Sequence, residues 1–467
     1  MLETLLSVAV LCSTVLTIIL ISLPSRYESN QSSTDKTPQS TSGNTPGSKV
    51  SVQILVLGDI GRSPRMQYHA LSIAKHGGHV DLIGYQESDL HPDVASNSNI
   101  TVLPIPPPPS LLQTANKWLF LLFGPLKAIC QTWYLWLILG YYAKPAKWML
   151  VQNPPSIPSL AIAQLICFVR NTRLIIDWHN FGFTILSLKL GDTHPLVRIS
   201  KWYETVFCRS AFAHLCVTNA MARVLREGFR IKSPIFPLHD RPPAHFQPIV
   251  DGKAQHAFLS SLAETTSSAA ALQAGSKKLL VSSTSWTHDE DFSLLIDALC
   301  QYSKLATTSR PGLPEILAII TGKGPEKEMY LAQIRSLEKE GKLKKVAITT
   351  AWLKAEDYAR LLACASLGVS LHTSSSGVDL PMKVVDMFGA GLPVVGWNRF
   401  EAWPELVTEG VNGRGFGSSA ELSSHLIDLF GDESKLDRLQ LGAREECGRR
   451  WDAEWDPVAG KILGLTS

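Results

Sequence analysis

The chain has 467 residues, which at about 150 residues per domain predicts either three domains or two large ones with extra segments. Its 44 basic and 41 acidic residues leave a net charge of +3, so the composition does not indicate a nucleic-acid partner. Charged residues reach only 18% and hydrophobic residues 45%, which excludes a disordered chain, a fibre and a small disulfide scaffold, and leaves an apolar excess to be placed.

The first apolar stretch, residues 5–23, carries no charge and is long enough to cross the ~30 Å hydrocarbon core of a bilayer. Its start holds Glu3 and no basic residue, unlike a secretory signal, although a cleaved signal stays an alternative. Arg26 and Lys36 follow it, which predicts a cytosolic C-terminal side. We therefore expect a single-pass anchor at 1–23 and a flexible Ser/Thr/Pro/Gly-rich linker at 24–49.

A second apolar stretch, residues 118–142, contains Pro125 and Lys127 near its middle. The interpretation we favour is a helical hairpin that dips into a membrane surface, with its Trp and Tyr side chains at headgroup level. A buried helix pair is the alternative. A full span is the third possibility, but it would place the two halves of the first domain on opposite sides of the membrane.

From residue 50 onwards, and outside the stretch at 118–142, continuous apolar runs alternate with helical patterns. The first of these helices is predicted near residues 66–76. The strands are predicted at 50–57, 80–83, 100–103, 148–151, 174–177, 278–281, 315–321, 346–349, 367–371 and 392–395. This alternation is typical of parallel sheets covered by helices on both faces. The predicted fold class is therefore α/β, with two Rossmann-like domains facing a cleft, at 50–240 and 241–467, and a final helix that can return to the first domain.

Two further features concern the body of the chain. Residues 251–276 are low in complexity and predict a surface insertion. The eight cysteines form no CxxC pair, which favours buried free thiols over disulfides or a metal site.

The first candidate site follows the first strand, in the segment GDIGRSPR at 58–65. A glycine loop before a helix lets backbone N–H groups approach a phosphate, and Arg62 and Arg65 add anion donors. A tight turn without a ligand is the alternative. The dinucleotide fingerprint GxGxxG is absent, so no nicotinamide cofactor is indicated.

Two more candidates follow later strands. His179, in DWHN at 177–180, is placed to accept a proton or to bond a sugar hydroxyl, or else is a structural histidine bonded to a loop carbonyl. Lys323, in ITGKGP at 320–325, is placed to bind a phosphate, with a plain glycine turn as the alternative.

The fourth candidate, residues 371–395, is the richest. A strand ends at a Ser/Gly loop, and Pro381 begins a helix whose N-terminus offers free N–H groups to a diphosphate. Asp386 lies about one turn further on and is placed to accept hydrogen bonds from ribose hydroxyls.

Five separated segments, in order, resemble the chitobiosyldiphosphodolichol β-mannosyltransferase family and, more loosely, the GT-B glycosyltransferases that use nucleotide sugars. The segments are residues 58–78, 176–186, 282–299, 320–330 and 367–395. The resemblance extends from residue 50 to the neighbourhood of residue 460. It implies a GT-B fold behind a single N-terminal transmembrane helix, and a membrane enzyme of the endoplasmic reticulum with a cytosolic catalytic domain.

The implied reaction transfers mannose from GDP-mannose to GlcNAc2-diphosphodolichol, with inversion to a β1,4 linkage and with no metal or other cofactor. The implied partners are these two substrates and the membrane, and other mannosyltransferases of lipid-linked oligosaccharides are a further class. The alternatives are a membrane-anchored GT-B transferase for another sugar nucleotide and a non-catalytic GT-B-like binding subunit.

The resemblance also assigns residues. The candidate bases are His179 and Asp59, with Glu204 a weaker candidate that is otherwise structural. The residues expected at the acceptor diphosphate are Gly58, Gly61, Arg62, Ser63 and Arg65. The residues expected on the donor side are Lys323, His372, Ser375, Gly377, Asp379, Leu380, Met382, Lys383 and Asp386.

The chain departs from the family pattern in two places. Many relatives have two acidic residues that are separated by seven other residues. Here the first acidic residue, Asp379, is one position closer to Asp386 than this spacing requires. Relatives also carry an Arg and a Lys after the first strand of the second domain, where residues 283–288 have no cation. Lys323 or Lys383 is therefore expected to neutralise the leaving diphosphate. The acidic run at 289–291 is expected to cap a helix and not to bind a metal.

Overall fold

The computed structural model describes residues 2–22, 50–109, 117–287 and 290–467. The chain divides into two compact units. Unit 1 comprises Met1–Cys216, Val224–Phe236 and Trp455–Ser467, and unit 2 comprises Val217–Arg223 and Pro237–Glu454. The division at Phe236 comes shortly before the predicted boundary at 240/241, and the C-terminal segment belongs to unit 1. The predicted linker at 24–49 lies outside the described residues.

Unit 1 contains a seven-stranded sheet in the order β3-β2-β1-β4-β5-β6-β7. Each neighbouring pair from β3 to β6 in this order is parallel. Its strands are β1 (Ser51–Asp59), β2 (His79–Tyr85), β3 (Ile100–Pro104), β4 (Trp148–Asn153), β5 (Arg173–Trp178), β6 (Ala213–Cys216) and β7 (Ile235–Pro237). Its helices are α1 (Leu2–Ser22), α2 (Pro64–Lys75), α3 (Pro92–Ser96), α4 (Lys117–Leu137), α5 (Ser159–Arg170), α6 (Gly182–Leu190) and α7 (Pro195–Phe207), while α8 (Asn219–Glu227) contains a unit boundary. The strands form because their apolar runs are buried on both faces, as Ile54, Leu55 and Val56 show.

Unit 2 contains a six-stranded, all-parallel sheet in the order β10-β9-β8-β11-β12-β13. Its strands are β8 (Lys277–Ser283), β9 (Glu315–Thr321), β10 (Val346–Ala351), β11 (Leu367–Ser370), β12 (Val394–Trp397) and β13 (Gly413–Phe416). Its helices are α9 (Gly252–Ser261), α10 (Ala269–Gln273), α11 (Ser293–Thr308), α12 (Lys327–Lys339), α13 (Ala355–Cys364), α14 (Met382–Gly389), α15 (Trp403–Leu406), α16 (Ser419–Gly431) and α17 (Glu433–Cys447). Helix α18 (Trp451–Trp455) reaches the unit boundary, and α19 (Lys461–Leu463) lies in unit 1.

Each sheet is doubly wound. The first six strands of unit 1 and the six strands of unit 2 share the order 3-2-1-4-5-6, counted within each unit. In such sheets ligands bind at the carboxyl ends of the strands, beside the point where the strand order reverses. That point lies between β1 and β4 in unit 1 and between β8 and β11 in unit 2.

Every predicted strand is present, but β6, β7 and β13 were not predicted. These three strands have only three or four residues, too few to show a hydrophobic period. Strand β1 extends to Asp59, so Gly58 lies inside the strand and not in the loop that follows it. Helix α2 begins at Pro64, a first-turn position that suits the fixed φ of proline.

The predicted hairpin at 118–142 is wrong. Helix α4 runs through Pro125 without reversing and continues into a π-helical turn at Ile138–Tyr142. Among the side chains described there, Leu135, Ile138 and Leu139 are buried, whereas others, such as Ile129 and Trp133, are exposed. This stretch is therefore one helix with a buried side and an exposed side, and it packs against α5.

Most residues of the predicted surface insertion at 251–276 do lie at the surface, and its being an insertion stays a prediction, but the segment is not without structure. The segment folds into α9, a 3-10 turn and α10, and α9 packs against α13. Phe258 and Leu259 are buried, and the Arg360 guanidinium lies 4.4 Å from the centre of the Phe258 ring. Small residues such as Ala and Ser obscured a helix whose few large side chains are buried.

At the N-terminus, helix α1 covers most of the predicted anchor. Within the part of the chain that the structure describes, no helix has the length and apolar character of a membrane span. The eight cysteines are free thiols, as predicted, and four of them are buried. Burial raises the pKa of Cys167 to about 12, so this thiol is unreactive at neutral pH.

Candidate active site

In unit 1, the carboxyl end of β5 carries a buried carboxylate, Asp177, bound by three cationic or imidazole groups. The Arg65 guanidinium donates to both carboxylate oxygens, from Nε at 2.8 Å and from Nη2 at 2.9 Å. His179 Nε2 lies 2.9 Å and His69 Nε2 3.3 Å from the same oxygen, Oδ2. Burial alone raises the pKa of Asp177, but the Arg65 charge and the two imidazoles hold it well below its usual value.

This arrangement fixes the tautomer of His179. Because Asp177 is ionised, its Oδ2 accepts a hydrogen bond, so His179 Nε2 carries the proton. The other ring nitrogen, Nδ1, then presents a lone pair. The imidazole is partly exposed at the end of β5, and its backbone N–H is bonded to the Asn153 carbonyl of β4 at 2.9 Å. His179 therefore has the form of an oriented general base.

The structure gives Arg65 a different role from the predicted one. Its side chain is 4% exposed and engages both oxygens of Asp177, so it is an internal counter-ion and not a free diphosphate ligand. Arg62, by contrast, is 80% exposed and lies near Asp59 and Ser88. Within the segment 58–65, Arg62 is thus the cation that faces solvent.

The glycine loop itself is explained mainly by packing. A Cβ on Gly61 would lie 2.7 Å from the carbonyl oxygens of Ser88 and Asp89, so only glycine fits beside the loop that follows β2. Ser63 Oγ donates to the Asp59 carbonyl at 3.1 Å, just before α2 begins. Helix α2 begins here, and Gly61 allows this loop and the loop after β2 to approach closely.

Asp59 is a poor candidate for the base. Its Oδ1 accepts backbone hydrogen bonds from Gly61, Glu87 and Ser88 at 3.1–3.2 Å. Burial raises the pKa of this carboxyl slightly, but the hydrogen bonds from these groups outweigh it and lower the pKa. Asp59 therefore organises the loop and has little tendency to take up a proton at neutral pH.

Glu204, on α7, is buried beneath the loop that follows His179. Its Oε1 accepts from the Gly182 N–H at 2.8 Å and from Asn153 Nδ2 at 3.3 Å. Burial raises the pKa of Glu204 to about 7, against the effect of these hydrogen bonds. A Cβ on Gly182 would lie 2.8 Å from Oε1, so this glycine admits the carboxyl. The contacts favour the structural interpretation.

In unit 2, the ends of β8 and β9 meet through their backbones. A Cβ on Gly322 would lie 1.8 Å from the Thr284 carbonyl oxygen, and one on Gly324 1.8 Å from the Ser285 carbonyl oxygen. The two glycines are therefore required by this contact. Between them, Lys323 Nζ lies 4.0 Å from the centre of the Trp352 ring, at the end of β10. Trp352 is 63% exposed and was missed by the sequence analysis.

Lys383 supplies the cation that residues 283–288 lack. It lies in the first turn of α14, and its Nζ is 3.4 Å from Ser285 Oγ and paired with Glu290. Glu290 is buried and also accepts from Thr284 Oγ1 and the Ser285 N–H, each at 2.6 Å. Glu290 is thus an anchor for the loop after β8, and in the acidic run it is Asp291 that accepts from the Ser293 N–H at the start of α11.

The Ser/Gly loop after β11 is organised by Asp379. Its Oδ1 accepts from Ser374 Oγ, and its Oδ2 lies 3.3 Å from His372 Nε2. Gly377 has a φ of +76°, and its carbonyl accepts from the Glu401 N–H at 2.9 Å. Asp379 therefore closes the loop on itself.

The remaining residues predicted on the donor side differ in how far their side chains are exposed. Leu380 is buried, so its side chain belongs to the core, whereas Met382 is exposed at the first residue of α14. Ser375 lies half-buried in the loop. The first N–H groups of α14, which a helix leaves without intrahelical partners, lie at Met382 and Lys383.

Asp386, one turn into α14, lies near a second carboxyl, Asp240. Burial, together with the negative charge of Asp240, raises the pKa of Asp386 to about 7. Such a carboxyl accepts hydrogen bonds from vicinal hydroxyls best when it is ionised, which a nearby cationic or hydroxyl-bearing ligand favours. Asp240 was not found from the sequence because it follows a short strand in a proline-rich segment.

Sequence reasoning named His179, Lys323, Lys383 and Asp386 as candidates, which they stay, but it missed the groups that contact them. Asp177 was read only as part of the DWHN motif, and His69 lies within α2 as one polar residue among apolar ones. Among the described residues, no group of three or more His, Cys, Asp or Glu side chains could hold a metal ion.

Comparison with solved structures gives the class of fold. Sucrose-phosphate synthase from Thermosynechococcus elongatus matches with a TM-score of 0.64 and 14% identity, over 90% of this chain and 99% of that one. Anabaena HepE in complex with UDP and glucose matches with a TM-score of 0.60 and 15% identity, over 89% and 100%. The family model described as "Glycosyl transferases group 1" matches residues 277–432. The fold is therefore of the GT-B type.

Curated relatives narrow this class. The chain is 55% identical to a chitobiosyldiphosphodolichol beta-mannosyltransferase of Arthroderma benhamiae, over 90% of this chain and 92% of that protein. It is 39% identical to the Homo sapiens protein of the same name, over 86% and 90%. It is also 38% identical to the UDP-glycosyltransferase TURAN of Arabidopsis thaliana, over 88% and 96%. The chain belongs to the chitobiosyldiphosphodolichol beta-mannosyltransferase family.

Proposed function

We propose that the chain transfers mannose from GDP-mannose to GlcNAc2-diphosphodolichol and forms the β1,4 linkage by inversion. The membership of the family supports the acceptor and the transferred sugar. The observation that carries the chemistry is His179, a partly exposed imidazole at a strand end whose Nε2–H is held by ionised Asp177.

The proposed mechanism is a single displacement. His179 Nδ1 accepts the proton of the acceptor 4-hydroxyl while that oxygen attacks the anomeric carbon, and the bond to the β-phosphate oxygen of GDP breaks. Because attack comes from the side opposite the leaving group, an α-linked donor gives a β-linked product. Asp177 stabilises the imidazolium that forms, as the aspartate of a catalytic triad does.

In unit 2, we assign the leaving diphosphate to the start of α14 and to the cations Lys323 and Lys383. Their support is the free N–H groups of the first helical turn, the position of Lys383 in that turn and the position of Lys323 in the loop after β9. Asp386 takes the ribose hydroxyls in this proposal. In unit 1, the exposed Arg62 takes the acceptor diphosphate.

The location follows from the substrate. A dolichol-linked acceptor is a membrane lipid, so we propose that the chain acts at the cytosolic face of the endoplasmic reticulum membrane. The predicted anchor at 5–23 is supported by its uncharged sequence. Other lipid-linked oligosaccharide mannosyltransferases, as partners, stay a prediction.

The competing candidate is a transferase for a uridine nucleotide sugar, and the name of the Arabidopsis relative favours it. The test uses purified full-length chain in detergent with GlcNAc2-diphospholipid and either GDP-mannose, UDP-glucose or UDP-GlcNAc. We expect mannosyl transfer and release of GDP only. Transfer from a UDP-sugar alone would contradict the donor assignment, and no transfer from any donor would favour the binding-subunit alternative.

A further inference from the structure

The C-terminal segment, Trp455–Ser467, belongs to unit 1 and contacts helix α2. The Trp455 ring stacks on the His76 ring, with centroids 5.8 Å apart and planes 10° from parallel. The next residue, Asp456, places Oδ1 2.9 Å from His76 Nε2. This end of the chain is therefore attached to the helix that also carries Arg65 and His69.

Trp455 makes a second contact with α2. Its side chain is fully buried, and its indole N–H lies 2.9 Å from His69 Nδ1. An indole nitrogen can only donate, so His69 Nδ1 must accept. His69 is fully buried, and burial lowers its pKa despite the attraction of Asp177, so the ring is neutral with its one proton on Nε2.

This nitrogen lies beside Asp177. His69 Nε2 lies 3.3 Å from Asp177 Oδ2, the oxygen that also receives His179 Nε2 at 2.9 Å. A continuous chain of polar contacts thus runs from the Trp455 indole through His69 and Asp177 to His179. We call these four residues the indole network.

We propose that Trp455 and His69 are positioning residues for His179: the indole N–H selects the His69 tautomer that carries its proton on the nitrogen beside Asp177, and this polar contact helps to fix the carboxylate that orients the base. The proposal rests on the proposed function, because it gives His179 the role of base. It assigns to the C-terminal segment a part in the chemistry of unit 1, in addition to its packing on α2.

The direct test is Trp455→Phe, which keeps an aromatic ring and removes the N–H. Without that donor, His69 can move its proton to Nδ1 and turn a lone pair towards Asp177. We expect kcat to fall about three- to tenfold, the effect of one hydrogen bond, with the donor KM unchanged. The acidic limb of the kcat–pH profile should move to higher pH, because Asp177 with one donor fewer holds the His179 proton more strongly.

Asp456→Ala is the matched control. It removes the contact of the same segment with His76 but leaves the indole network intact. We expect a lower unfolding temperature with kcat and its pH profile unchanged. If Asp456→Ala reproduces the kinetic change of Trp455→Phe, the segment acts by packing alone and the proposal is wrong.

A second pair of variants covers the case in which Trp455→Phe does not fold. His69→Gln keeps an amide donor for Asp177 and a carbonyl acceptor for the indole, whereas His69→Leu keeps neither. We expect Gln to retain most of the activity and Leu to lose it. Equal kcat and equal pH profiles in the two variants would overturn the proposal.

A readout without catalysis separates this proposal from the proposed function. Histidine 15N NMR of the full chain reports the tautomer of each ring, with His69 and His179 assigned from their variants. We expect the Nε2–H form at both, and loss of that form at His69 in Trp455→Phe. An Nδ1–H form of His69 in the unmodified chain would contradict the inference even if mannosyl transfer is present, whereas lack of transfer with the expected tautomers would contradict only the proposed function.

Discussion

Asp177 keeps its charge in a buried position because Arg65 binds both of its oxygens and two imidazoles approach a single one. An isolated carboxylate would be protonated in such a place. The same contacts decide which nitrogen of His179 is free. One buried ion pair therefore determines both the local stability of the β5 end and which ring nitrogen of the candidate base faces the carboxylate.

Asp177→Asn is expected to damage stability and activity together. The Arg65 guanidinium would lose its buried counter-ion, at a cost of about 3–5 kcal/mol in the free energy of unfolding. The amide would also no longer enforce the Nε2–H tautomer of His179, so kcat should fall by a factor on the order of 10³ or more. Urea unfolding and steady-state mannosyl transfer measure the two effects.

Asp81→Asn is the control for this prediction. Asp81 is also a buried strand aspartate, but burial raises its pKa against the pull of His79, so a neutral side chain is tolerated there. We expect little change in stability or kcat. A similar loss in both variants would show that any buried strand aspartate has this effect, and would contradict the special role given to Asp177.

Asp386→Asn is expected to stabilise the fold in a pH-dependent way. The pKa of Asp386 is raised to about 7, so the folded state holds a proton that the unfolded state releases near pH 4. The wild type therefore loses stability as pH rises from about 4 through 7, and the variant does not. The unfolding temperature of the variant should exceed that of the wild type at pH 8 and match it more closely at pH 5.

The same variant should bind the donor more weakly. Loss of charged hydrogen bonds to the ribose predicts a donor KM about ten- to a hundredfold higher. A stability difference that does not change between pH 5 and pH 8 would contradict the raised pKa. An unchanged KM would contradict the ribose assignment.

At the scale of elements, the ends of β8 and β9 depend on two glycines that allow backbone contact. Gly324→Ala would place a methyl group 1.8 Å from the Ser285 carbonyl oxygen. The loops must move apart, which should cost about 1–3 kcal/mol and raise the donor KM, since Lys323 and Lys383 lie on either side of this contact. Differential scanning calorimetry and donor titration check the two effects.

Gly252→Ala is the matched substitution. Gly252 begins α9, and a Cβ there meets nothing within 4 Å. Alanine should leave the protein as stable as before or more stable by about 0.5–1 kcal/mol. Equal destabilisation by the two substitutions would show that the contact between the β8 and β9 loops is not what requires Gly324.

The segment 251–276 is expected to contribute to stability. Phe258→Ala removes a ring that is 2% exposed and lies under Arg360, so the free energy of unfolding should fall by about 3–5 kcal/mol. Ser260→Ala, two residues away on the exposed face of α9, should change it little. If Phe258→Ala is as stable as Ser260→Ala, the segment is the dispensable insertion that its composition suggests.

At the scale of the whole molecule, the sequence predicted both sheets, because long apolar strands buried on two faces differ clearly from the helices between them. It failed where the signal is short or indirect. Strands β6, β7 and β13 are too short for a period, and the Ala/Ser composition of 251–276 hid the buried Phe258. In residues 118–142, Pro125 suggested a reversal, but the helix continues through it.

The candidate site was predictable to a different degree in each unit. Strand-end motifs identified His179, Lys383 and Asp386, since their positions follow from local order along the chain. The groups that surround them come from distant parts of the sequence: Arg65, which pairs with Asp177, from α2, Glu290 from before α11 and Asp240 from the segment after β7. No local pattern links such residues, so only the tertiary structure brings them together.

The measurement that tests the account most directly is mannosyl transfer by the purified full-length chain, with the product linkage determined by NMR, for the wild type and for His179→Gln. We predict a β-linked mannose from the wild type and a fall in kcat of about 10²–10⁴ in the variant, with its unfolding temperature retained. An α-linked product, or a kcat of His179→Gln equal to that of the wild type, would contradict an inverting reaction with His179 as the base.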